Sequence, residues 1–189
     1  MLWFVIGLVG FLGLHSISIV SRGGRNGLAE RLGEGPYKGI YSVLSLVTFG
    51  LMVWGYGLAR PTALILYTPP VFMRHLVWLL MAPVFVLLVA TYAPGKIKST
   101  VKHPLLTAVK TWALAHLLAN GSVVDLMLFG GFLAWAVADR ISLKRRPDAK
   151  VPEKRGWGIG DAVAIVLGLG LYAGFFLYLH ELIIGVPVR

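Results

Sequence analysis

Five histidines, His15, His75, His103, His116 and His180, are the residues of this 189-residue chain best placed to do chemistry, and all lie within or at the edges of strongly apolar runs. An ionisable side chain in the hydrocarbon zone of a bilayer costs roughly 2.5–3.5 kcal/mol on insertion scales, so each is kept against a penalty. A neutral imidazole there can ligate a metal or hydrogen-bond inside a packed core. Cysteine is absent, which excludes disulfides, iron–sulfur clusters, thiolate haem ligation and cysteine nucleophiles. Metal chemistry must therefore use histidine, carboxylate or tyrosine. The sequence has no HExxH, no histidine pair at four-residue spacing, no Walker A loop and no G-x-G-x-x-G following a strand. With eight acidic residues, mostly in loops, a carboxylate pair for hydrolysis has no seat. Asp125, Asp139 and Asp161 fall near the ends of apolar runs and are weak candidates for charge relay.

Depth separates the histidines. His15 lies seven residues before Arg22, about 10 Å at 1.5 Å per residue, and His116 lies twelve residues after Pro104, about 18 Å. Metal ligation and a hydrogen-bonded core position both suit these two. In TWALAHLLAN, Trp112, His116 and Asn120 recur every four residues, which places an aromatic ring, an imidazole and an amide on one helical face. That stripe suits a pocket with a flat apolar wall, a ligand atom and a hydrogen-bond partner, and equally a helix-packing face with a polar clamp. His75 follows Arg74 and His180 precedes Glu181, near boundaries where an interfacial histidine is ordinary. His103 precedes Pro104; proline is a good first helical residue, so a helix start is the plain reading.

The elements that must carry these residues are membrane helices. The chain is 57% hydrophobic and 14% charged, with a mean hydropathy of +0.77, against about 25% charge and 45–50% apolar residues in soluble domains. The expected fold is an all-α polytopic transmembrane bundle in a single domain over 1–189. At roughly 20 residues per crossing, about six spans are expected near 2–20, 38–58, 75–92, 104–120, 123–139 and 159–184. Asn120 and Gly121 tolerate the backbone of a tight turn, so a hairpin is favoured between the fourth and fifth spans over one helix of about 35 residues. No basic residue precedes the first run and no small-residue cleavage site ends it, so it is expected to remain in the mature protein.

Eighteen basic against eight acidic residues give a net charge of +10. The basic residues lie between the apolar runs, which reads as anchoring at the bilayer surface and not as nucleic-acid binding. One side collects Arg22, Arg25, Arg31, Lys38, Lys96, Lys98, Lys102, Arg140, Lys144, Arg145, Arg146, Lys150, Lys154 and Arg155; the other has Arg60, Arg74 and Arg189, with Lys110 inside the fourth run. The excess places the first group in the cytoplasm and both termini on the opposite side. The stretch RISLKRRPDAKVPEKR opens a flexible cytoplasmic linker over about 140–158. Gly7, Gly10 and Gly13, and Gly168, Gly170 and Gly174, read as surfaces for close helix packing. No repeat of 20–50 residues is apparent, so an inverted-repeat transporter is not indicated.

Four segments, GLHSISIVSR at 13–22, KHPLLTAVKTWALAHLLANG at 102–121, LFGGFLAWAVADR at 128–140 and HELIIGVP at 180–187, resemble the NnrU family of bacterial membrane proteins. The resemblance runs over 1–189, and HP…W…LAH..ANG…LFGGF is its most specific part. It implies a multi-pass protein of the bacterial inner membrane, associated with denitrification and nitric oxide metabolism. The family is similar to the 15-cis-zeta-carotene isomerase of plastids and cyanobacteria, which uses b-type haem held by histidines. The resemblance thus implies haem b with His15 and His116 as metal ligands, His103, Trp112 and Asn120 nearby, and redox or isomerase-like chemistry on an apolar small molecule. The cysteine-free chain departs from any scheme in which a thiolate replaces one histidine. The alternative is a non-catalytic accessory or assembly protein beside a respiratory or denitrification complex. A weaker resemblance to membrane methyltransferases rests on the basic-His-Pro helix start, but the acidic pair of those enzymes is reduced here to Glu181. The charge asymmetry makes a first prediction: a reporter active only in the periplasm, fused at Arg189, gives signal. A signal confined to the cytoplasm would mean an odd number of spans, with the block 104–139 crossing once.

Overall fold

The computed structural model describes residues 1–146, 152–153 and 155–188, and their regular structure is helical apart from one antiparallel bridge, Ile65 to Ser122. The helices are α1 (Leu2–Val20), α2 (Arg22–Leu32), α3 (Glu34–Ala59), α4 (Met73–Ala90), α5 (Lys96–Val101), α6 (Pro104–Ala119), α7 (Val123–Lys144), α8 (Ile159–Gly174) and α9 (His180–Ile184), with a 3-10 turn after α3 and a π turn, Phe175–Leu179, joining α8 to α9. Five stretches are long and apolar enough to cross a membrane: Leu2–Val20, Glu34–Thr62, Met73–Ala90, Val123–Lys144 and Ile159–Ile184; α6 is apolar but shorter. Every expected apolar run is helical. The Asn-Gly turn does divide α6 from α7, and Ser122 and Asp125 close a reciprocal capping box at the start of α7.

Three features depart from the sequence reading. The basic segment after α1 is the helix α2. α7 runs on to Lys144, into the stretch read as linker; of that stretch, residues 147–151 and 154 lie outside the described residues, as does Arg189. The glycines divide: Gly7 and Gly168 sit at close backbone crossings and Gly10 meets the Thr48 side chain, but Gly13 and Gly170 have no neighbour within 4 Å.

Two compact units are distinguished. The first comprises Met1–Pro69 with 120–145. There α1 packs on α3 and α7, around Phe4, Leu8, Met52, Ala59 and Val124. A Cβ on Gly7 would strike the backbone of Leu51 and Met52, and one on Gly55 the backbone of Trp3 and Phe4, so the α1–α3 approach depends on both glycines. The segment after α3 clasps the α6–α7 turn: Leu66 N and Tyr67 N donate to Gly121 O at 2.8 and 3.3 Å, Val123 N donates to Leu64 O at 2.9 Å, and Tyr67 Oη donates to Asn120 O at 2.8 Å.

The second unit comprises Pro70–Ala119 with 146–189. Its centre is α4, which packs on α6 and α8. Val84, Leu87 and Ala108 form the core, with Met81, Leu88 and Trp112 against it. Gly168 of α8 lies on the backbone of Phe85 and Val86. Pro83 is inside α4, which membrane helices tolerate where neighbours satisfy the freed carbonyl.

The glycine geometry gives a paired prediction. Gly55→Ala is expected to lower stability by about 1–3 kcal/mol through overpacking against backbone. Gly57→Ala, with nothing within 4 Å, gains up to about 1 kcal/mol of helix propensity. Thermal unfolding of the two variants in one detergent measures the contrast; equal melting temperatures would remove the crossing from the fold's determinants.

Candidate functional site

His15 is built into the first unit by three helices. Its Nδ1 is 2.8 Å from Phe11 O, one turn back on α1. The ring lies tilted against Phe11 at 4.2 Å, is 5.6 Å from Tyr41 of α3 and meets Trp135 of α7 edge-on at 6.1 Å. Trp135 Nε1 is buried without a hydrogen-bond partner, a state that buried donors rarely keep. The bond to a carbonyl assigns the proton to Nδ1 and makes Nε2 the nitrogen with a lone pair for a metal.

His116 is prepared in the same way in the second unit. Its Nδ1 lies 2.9 Å from Trp112 O, and its ring is 5.2 Å from the Trp112 ring, which packs on the α4–α6 core. If this imidazole binds a metal, it too does so through Nε2. Asn120 lies beyond the end of α6, in the turn, where its carbonyl accepts the Tyr67 hydroxyl. His103 directly precedes Pro104, and its carbonyl accepts from Thr107 N and Oγ1 at 3.1 and 3.2 Å, as a helix start requires. His15 and His103 lie in different units, as do His15 and His116.

The boundary histidines share part of this chemistry. His75 is exposed, with Nδ1 3.2 Å from Phe72 O and its ring edge-on to Trp78 at 4.8 Å; His180 Nδ1 is 2.8 Å from Val186 O. Anchoring alone therefore does not single out His15 and His116, and His116, read from sequence as deep by its distance from Pro104, stands in the last turn of α6. Among the described residues no group of three or more histidine and carboxylate side chains could hold a metal.

The two most buried carboxylates are clasps. Asp125, 4% exposed, accepts from Tyr56 Oη at 2.5 Å and from Ser122 Oγ at 2.6 Å. Asp161, 2% exposed, accepts from the backbone N–H groups of Lys96, Ile97 and Gly158 at 3.0, 2.8 and 3.0 Å, tying the start of α5 to the start of α8. Their proximity to span ends, read from sequence as a weak charge-relay signal, is that of helix caps. The S-x-x-D pattern at 122–125 was the readable sign of one clasp; Tyr56, Tyr41 and Trp135 carry no local sign, because only tertiary packing brings them to Asp125 and His15.

The NnrU protein family model matches residues 3–188 of the chain. No curated protein and no solved structure shows a match.

The Asp125 clasp yields the third prediction. Tyr56→Phe leaves a buried carboxylate short of one donor and is expected to cost about 1–3 kcal/mol; Ser122→Ala, which removes the cap, is expected to cost about 1 kcal/mol. The double variant is non-additive because both bonds end on Asp125. Additive melting shifts would show that the two bonds act separately.

Proposed function

The chain belongs to the NnrU family, and on that premise we propose that it is a multi-span protein of the bacterial inner membrane that binds haem b through His15 and His116. In this reading α6 makes a sixth crossing and both termini face away from the cytoplasm, in keeping with the distribution of basic residues. The observation that carries the haem reading is the setting of His15: Nδ1 tied to Phe11 O, Nε2 left as the ligating atom, and a wall of Phe11, Tyr41 and Trp135 around it. That wall suits a flat apolar macrocycle. The orphaned Trp135 Nε1–H supplies a donor for an acceptor on a bound group.

His116 has the same anchored ring beside Trp112. Two imidazoles do not complete the coordination of iron, and a haem held by His15 and His116 would bring the remaining ligands with its porphyrin. When bound, the haem supplies one-electron redox chemistry of the kind used in nitric oxide metabolism, or isomerase-like chemistry on an apolar substrate. The chain's part is to hold both imidazoles in one tautomer, exclude water with aromatic rings and keep the site apolar. A second reading, an accessory or assembly protein of a respiratory or denitrification complex, is favoured by Gly13 and Gly170, which meet nothing within 4 Å on helices that pack closely elsewhere. A crosslinking screen that returns no respiratory partner would remove it.

The fourth prediction separates the deep histidines from the boundary ones. Detergent-purified protein gives a pyridine haemochrome of b type and a low-spin reduced-minus-oxidised spectrum. His15→Ala and His116→Ala each lose it, since loss of supporting contacts alone costs 10–100-fold in metal affinity and loss of a ligand costs at least as much. His180→Ala keeps it. Retention in His116→Ala with loss in His180→Ala would move the ligand to the outer boundary; wild-type protein without haem, made with adequate haem supply, would end the reading.

A further inference from the structure

The helix α2 has no function in the haem reading and an unusual position. Its eleven residues, RGGRNGLAERL, stand between α1 and α3, separated from them by Ser21 and Gly33 alone. Gly33 takes φ +84, a left-handed backbone that suits glycine. With Arg22, Arg25, Arg31 and Glu30, α2 is too polar for the hydrocarbon layer. With one-residue joints to two helices that are themselves long and apolar enough to cross, it cannot leave the bilayer surface.

None of its residues is buried. At about 100° per residue, Leu28 and Leu32 fall on one stripe, Arg25 and Arg31 flank that stripe on either side, and Asn26 and Glu30 lie opposite. Leu28 is 50% and Leu32 44% exposed, so about half of the apolar stripe is left uncovered by protein. The Arg25 guanidinium lies over the Tyr37 ring at 5.6 Å, which fixes one edge of the helix against α3.

We propose that α2 is an interfacial helix whose Leu28–Leu32 stripe enters the acyl boundary and whose flanking arginines bind the phosphates of anionic phospholipids. The pattern is that of helices lying in the membrane plane: an apolar stripe, basic residues beside it, low overall hydrophobicity. Charge complementarity names the occupant. In the orientation proposed above, on which this step rests, the arginines lie on the side that collects fourteen basic residues, and a negatively charged leaflet attracts such juxtamembrane groups. A free phosphate would satisfy the arginines and leave the leucines in water; a phospholipid covers both.

The absence of cysteine permits a clean test on the full chain. Leu28→Cys and Glu30→Cys, each carrying an environment-sensitive fluorophore, are reconstituted into phosphatidylcholine vesicles with and without phosphatidylglycerol. The Leu28 probe is quenched by lipid-borne nitroxide and shielded from aqueous iodide, and the Glu30 probe shows the reverse. In the unlabelled chain and in Arg31→Gln, whose arginine is exposed, electron paramagnetic resonance of spin-labelled lipids measures the preference for phosphatidylglycerol over phosphatidylcholine. The preference falls measurably in Arg31→Gln, and further in Arg25→Gln/Arg31→Gln. Equal iodide quenching at both positions would overturn the proposal and leave the stripe to a protein partner. An unchanged lipid preference in the double variant would overturn the phosphate assignment.

Discussion

A polar group placed in an apolar solvent must find its hydrogen bond inside the protein, because no water is at hand to supply one. Ser16 Oγ donates to Leu12 O, Thr48 Oγ1 to Leu44 O and Thr91 Oγ1 to Leu87 O, each one turn back along its own helix. His15 and His116 obey the same rule, bonding the carbonyls of Phe11 and Trp112. A hydroxyl is largely satisfied by such a bond. An imidazole has a second nitrogen, and the bond that settles the first decides what the second can do. The tautomer that makes these histidines tolerable in an apolar run is also the one that presents Nε2 for ligation.

The same constraint shapes the helix ends. α7 and α8 each begin with a carboxylate at their third residue, Asp125 and Asp161, whose oxygens are taken up by backbone or hydroxyl donors. Each carboxylate also reaches a second element: Tyr56 of α3 in the first unit, the start of α5 in the second. Their effect on the site is indirect. Holding the start of α7 against α3 sets the register of the helix on which Trp135 meets His15, while Gly7 and Gly55 set how closely α1 and α3 approach.

The long apolar helices were legible because apolarity over some 20 residues is a strong local signal, and the break at Asn120–Gly121 was legible because its residue types suit a turn. α2 and α5 were not, since short polar helices have no apolar period to announce them. The stripe of Trp112, His116 and Asn120 rests on spacing, which does not mark where a helix ends, and α6 stops at Ala119, one residue before Asn120. His15 was visible as a polar residue in the wrong solvent, but its partners Tyr41 and Trp135 stand on other helices, where no spacing rule reaches. The family resemblance read from the motifs agrees with the match over 3–188.

The central claim is that imidazole Nε2 atoms hold a haem iron, and pulsed electron paramagnetic resonance of the oxidised protein tests it most directly. Protein made with ¹⁵N-labelled histidine on an unlabelled background is expected to give a low-spin ferric signal whose strongest nitrogen couplings, beyond those of the porphyrin, come from two ¹⁵N histidine nitrogens, and that signal with its couplings is lost in His15→Ala. A low-spin signal without ¹⁵N coupling, or a coupling unchanged in that variant, would contradict it.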